Sequence, residues 1–206
     1  YWISKYGWTT DKKLYANFKS YILKNYSKKD SQKKFLKEFV EELYKNSLYL
    51  RRMYNPGHDS FYKDHFSSPK QYDKKIIKSL TVIKQCNVKQ CYVLILSLVR
   101  NVMIAKDKLN NRDKFEKISR SLCAIIKDIE IFSLKFHVLG KGQANKVEKD
   151  VYHKIALFIE NELIKKYNEK EIIRKWTSVV RDRISIKLED IIKEEEINYE
   201  SAIGRL

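Results

Sequence analysis

Apolar residues recur along most of this chain with the spacing of helix faces. Leu14, Phe18, Tyr21 and Ile22 form one stripe. Phe35, Leu36, Phe39, Val40, Leu43 and Tyr44 form another, with the i, i+3, i+4, i+7 recurrence expected of a buried face. Further stripes run through Ile76, Ile77, Leu80 and Ile83, then from Val88 to Ile104, then through Phe115, Ile118, Leu122, Ile125, Ile126 and Ile129. A last pair covers Val151 to Ile164 and Ile172 to Val180. Helix starts are marked by capping boxes, in which a small polar residue precedes Glu or Gln by three positions and the two side chains bond to otherwise orphaned backbone N–H groups. Ser68 with Gln71, Asn87 with Gln90, Asn145 with Glu148, and Asn168 with Glu171 fit that pattern, and Pro69 occupies the first helical position of the first box. The expectation is an all-α, irregular multi-helix bundle of about seven or eight helices. The whole of 1–206 reads as a single helical domain, with the longest loop, between Asn55 and Ser68, as the one place where a subdivision falls.

Composition supports helices and changes little else in that picture. Five Gly and two Pro leave few of the turns an all-β fold needs, and 43% hydrophobic residues suffice for a core. The most apolar window, Cys91 to Val99, is stopped by Arg100 and is far shorter than the roughly 20 residues that span a bilayer. It reads as a buried central helix, with no membrane involvement. Cys86, Cys91 and Cys123 are sparse, odd in number and set among apolar neighbours, which fits core thiols in a reducing, cytoplasmic setting. The opening run, with Tyr1, Trp2, Tyr6 and Trp8, carries too much ring surface for a free tail, and the expectation is that upstream sequence of a larger parent packs there.

Charge adds a candidate partner. The net charge is +17, concentrated in residues 1–100, whereas residues 186–206 are net acidic. Such an excess favours a polyanion, with double-stranded DNA first among them; a Lys-rich composition without functional meaning is the competing account.

Two separated segments resemble a known family. Tyr1-Trp2-Ile3-Ser4-Lys5-Tyr6-Gly7 with Leu14-Tyr15-Ala16-Asn17-Phe18-Lys19 resembles the region just after the N-terminal domain of GmrSD-type restriction endonucleases and related phage-defence proteins. Ile129-Glu130-Ile131-Phe132-Ser133-Leu134-Lys135-Phe136, through Asn145 to Ala156, resembles a helix-loop-helix further along those proteins. The resemblance implies a parent with a ParB/sulfiredoxin-like, nucleotide-binding N-terminal domain, a helical middle and a C-terminal HNH nuclease domain. This chain matches the middle. The family's Asp-Gly-Gln-Gln-Arg run and His-rich HNH segment are both absent, so no catalytic residue carries over and no cofactor is implied for this portion. The chain also departs from the family at Ser133, where relatives often carry an aromatic residue or His.

Candidate chemistry is correspondingly sparse. His58-Asp59 with Asp64-His65 is the one imidazole–carboxylate cluster, but nothing preorganises it, and solvated or capping roles fit those residues better. Cys86 and Cys91 lack two further zinc ligands, and His137 and His153 sit among apolar helix residues as core or boundary side chains. Lys141 and Lys146 flank a Gly-containing loop that leads into the Asn145 cap, where helix N–H groups suit a phosphate; a plain interhelical loop is the alternative. Arg174, Lys175, Arg181 and Arg183 surround Trp176, and Arg174 and Arg181 return to one face after two turns, as a DNA-backbone contact requires. A solvated face beside Glu171 and Asp182 competes with that reading. Lys24, Lys28, Lys29, Lys33, Lys34 and Lys37 pose the same choice. The expected function is a non-catalytic module of a modification-dependent restriction nuclease that couples nucleotide-binding and nuclease domains and holds DNA. A helical protein-interaction module is the alternative, and the sequence leaves the oligomeric state open.

Overall fold

The structure, a computed structural model, describes residues 1–57, 70–109, 112–135 and 151–162. They form seven helices and no strand: α1 (Trp2–Lys5), α2 (Asp11–Asn25), α3 (Lys29–Tyr54), α4 (Lys70–Gln85), α5 (Tyr92–Leu109), α6 (Arg112–Ser133) and α7 (His153–Glu162). The all-α bundle expected from periodicity is what these residues build. No helix among them is long and apolar enough to cross a membrane.

Helix α5 is the axis of the bundle. Residues 94–103 are all buried, so both faces of the helix are covered, and it packs against α1, α3, α6 and α7. A helix whose apolar residues, here Leu94, Ile95, Leu96, Leu98, Val99 and Val102, run round its whole circumference has no stable position except inside. Helix α6 turns Ile118, Leu122, Ile125, Ile126 and Ile129 toward this core, and α4 adds Ile76, Leu80 and Ile83 from the outer side of α6. Ile155, Ala156 and Ile159 of α7 close the core from another side.

Two expectations at this level need correction. Asn87 does not open α5, which begins only at Tyr92; it closes α4. Its φ of 55° is left-handed, its N–H donates to the Lys84 carbonyl at 3.0 Å, and the Val88 N–H donates to the Ile83 carbonyl at 3.3 Å. That pair of bonds is a Schellman closure, and Val88 buries its side chain in the same cluster as Ile83. Asparagine serves either end of a helix, because its short polar side chain tolerates left-handed backbone as readily as it caps an N-terminus.

The second correction concerns α3. Of its predicted buried face, Phe35 is buried and Phe39 half-buried, but Leu36, Val40, Leu43 and Tyr44 are exposed. The inward stripe runs instead through Phe35, Phe39, Glu42, Asn46 and Met53, and it includes two polar positions. Asn46 belongs there because of Arg100. The Arg100 Nη1 donates to Asn46 Oδ1 at 3.0 Å and to Ser4 Oγ at 3.2 Å, and Nη2 donates to the Ser4 carbonyl at 3.2 Å and to Glu160 Oε1 at 2.5 Å. Asn101 and Ser97 donate to the same Glu160 oxygen, at 2.5 and 3.0 Å, and the guanidinium lies 5.5 Å from the Tyr1 ring centroid. One buried cation thus ties α1, α3, α5 and α7 together. Arg100 ends the apolar window without ending the helix or its burial, because the charge is paired where it lies.

Glu42 makes a second, more exposed junction, accepting from the Tyr1 hydroxyl and the Lys5 ammonium. Burial pushes its carboxyl upward, but the hydrogen bonds from Lys5 and Tyr1 outweigh that and hold its pKa below the ordinary glutamate range. The junction therefore contributes stability above the unfolded value of about 4.3, lost as pH falls through the lowered folded value. Urea midpoints measured between neutral pH and about pH 3 should fall further for the native chain than for Glu42→Gln. Parallel pH dependence of the two would mean the junction is not formed.

The N-terminal aromatic residues find partners within the chain. Trp2 stacks on Tyr6 with ring centroids 4.7 Å apart, and Tyr1, Tyr6, Phe18 and Tyr21 interleave with Phe35 and Phe39. These rings are what attach α2, which has no buried residue of its own.

Candidate nucleic-acid interface

Helices α4 and α6 bury their isoleucines on one side and leave lysine and arginine at the edges of the seam between them. Between the two lies a groove of about 400 Å³ whose floor includes Ser79, Cys123 and Ala124. Four cations line it: Lys75 and Lys78 from α4, Arg120 and Lys127 from α6, all exposed. The spacings explain the convergence. Lys75 and Lys78 are three residues apart and share a face, while Arg120 and Lys127 return to one face after two turns, about 10 Å along the axis.

The rim is partly preorganised. Arg120 Nε donates to the Tyr72 hydroxyl at 3.1 Å, and that hydroxyl sits 3.4 Å from a Glu116 carboxylate oxygen. Lys127 Nζ donates to Glu130 at 2.7 Å, the one carboxylate that lines the groove. Glu130 is buried, so its charge is directed at Lys127 rather than at solvent. Four cations against one carboxylate leave the lining a cationic surplus.

Nucleophilic chemistry has little footing here. Burial pushes the Cys123 thiol up, against a smaller opposing effect of Lys75, and burial pushes Cys91 up to about 12. All three cysteines are free thiols. Among the described residues no group of three His, Cys, Asp or Glu side chains is placed to hold a metal.

Lys141, Lys146, Arg174, Lys175, Arg181 and Arg183 lie outside the described residues, as do the His58 to His65 cluster, His137 and the other three capping boxes' cap residues, Ser68, Asn145 and Asn168. His153 is buried, as its apolar neighbours suggested. Lys24, Lys28, Lys29, Lys33, Lys34 and Lys37 are exposed at the end of α2 and the start of α3. Sequence reading passed over Lys75, Lys78, Arg120 and Lys127. The seven-residue return that singled out Arg174 and Arg181 is equally present at Arg120 and Lys127; what pairs them with Lys75 and Lys78 is the packing of α4 on α6.

No family model, no curated protein and no solved structure matches this chain.

Proposed function

We propose that the chain is a non-catalytic helical module that holds the backbone of double-stranded DNA, and that it serves within a phage-defence, modification-dependent restriction nuclease by coupling nucleotide-binding and nuclease domains. The DNA-holding part rests on one observation, the convergence of Lys75, Lys78, Arg120 and Lys127 on the α4–α6 groove. The nuclease context rests on the sequence resemblance of its opening and its 129–156 segment. A groove of this kind tracks phosphates and leaves cleavage to other domains.

Fluorescence anisotropy of a labelled duplex, titrated across a range of salt concentrations, tests the reading. If Lys127 exchanges Glu130 for a phosphate, so that all four cations neutralise one each, the slope of log K against log salt is about −3.6. Arg120→Glu with Lys127→Glu should weaken binding by roughly tenfold or more and flatten the slope by about 2. Duplex binding unaffected by the double reversal would remove the groove from the account. A second reading, a protein-interaction module, is favoured by exposed Leu36, Val40, Leu43 and Tyr44 on α3, and it stands if duplex binding fails even at low salt.

A further inference from the structure

A second cavity, of about 450 Å³, has the opposite chemistry. Its aromatic wall is made by Tyr6, which follows α1, Tyr21 of α2, Tyr26 of the α2–α3 connection, and Phe35 and Phe39 of α3. Its polar wall holds three carboxylates, Glu38 and Glu42 from α3 and Glu160 from α7, against one cation, Lys5 from α1, with Asn161 beside them. We propose that this cavity binds an organic ammonium cation, held between the ring faces and the carboxylates.

Ring faces are the negative pole of the aromatic quadrupole and attract a cation within about 6 Å of the centroid. Neighbouring rings of the wall meet at angles from 25° for Tyr26 with Phe35 to 82° for Tyr6 with Phe35, so the wall is not flat. The chain already uses the same attraction internally. The Lys5 ammonium sits 5.4 Å from the Tyr6 centroid and 5.9 Å from that of Tyr1, against Glu42. Lys5 offsets Glu42, and Arg100 offsets Glu160. That leaves Glu38, exposed at the rim and without an ion pair among the described residues, as the carboxylate for an incoming charge.

Size and field agree with this choice of ligand. The volume lies within the roughly 300–1,000 Å³ of small-molecule sites, so it admits a substituted ammonium with part of the chain that carries it. The net charge of +17 repels cations at long range. At physiological ionic strength, charges beyond about 8 Å are largely screened, and the lining decides.

Titration calorimetry on the full chain at physiological salt tests the proposal with three probes. They are choline, its uncharged analogue with carbon in place of the quaternary nitrogen, and a short peptide carrying one trimethylated lysine. Saturable binding of choline or the peptide, with the uncharged analogue roughly tenfold weaker, is the expected result. Tighter binding of choline points to a free small molecule, and tighter binding of the peptide to a protein-borne side chain. Glu38→Gln, at an exposed position where folding is not at stake, should weaken the cation about threefold or more and leave the uncharged analogue unchanged. Equal binding of charged and uncharged analogues, or no saturation by either cation, would overturn the proposal.

Discussion

Replacing Arg100 with alanine is expected to lower the free energy of unfolding by roughly 3–5 kcal/mol, read as a fall in the urea midpoint. The guanidinium side chain is 6% exposed and its partner Glu160 only 11%. Removing the cation strands the Glu160 carboxylate in a low-dielectric interior, with only the Asn101 and Ser97 donors left to it. It also strips Asn46 Oδ1 and the Ser4 carbonyl of the donor that Arg100 supplies. The loss is mainly the penalty of uncompensated polar groups, not the intrinsic strength of an ion pair. A second variant separates these causes: Arg100→Met combined with Glu160→Leu removes both charges and should recover part of the loss, because desolvation of the pair is no longer incurred. If Arg100→Ala costs less than about 1 kcal/mol, as for an exposed pair, the four helices are not joined through this residue.

The same residue marks where sequence reading stops. Ser4, Asn46 and Glu160 lie 96, 54 and 60 residues from Arg100 along the chain, and no local pattern announces that they converge. Helical periodicity is local, so the stripes of α4, α5 and α6 were legible down to individual isoleucines such as Ile76, Ile118 and Ile125. Polar residues on an inward stripe are not legible that way. Glu42 and Asn46 look like solvent positions until Lys5, Tyr1 and Arg100 are brought to them, and the apolar template then drifts to Leu36, Val40 and Leu43 instead. Asn87 illustrates the same limit at a helix end, since one residue type signals both a start and a stop. The cationic groove was half legible. Each pair, Lys75 with Lys78 and Arg120 with Lys127, has a readable spacing, but only the packing of α4 on α6 sets the two pairs facing one groove.

Two leucines, one on α5 and one on α3, stand in sharp contrast. Leu98 on α5 is 0% exposed, whereas Leu43 on α3 is 43% exposed, although both fall on predicted apolar stripes. Leu98→Ala should leave a cavity in the centre of the bundle and cost roughly 2–5 kcal/mol, the transfer free energy of the lost methyl groups together with the unfilled volume. Leu43→Ala removes a side chain that is already half in water and should change stability by no more than about 0.5 kcal/mol. Equilibrium urea unfolding of both variants measures the difference directly, with unchanged m-values as the sign that the unfolded states are comparable. A cost at Leu43 equal to that at Leu98 would show that the outer edge of α3 is covered in solution, returning that helix to the fully buried face its sequence suggested.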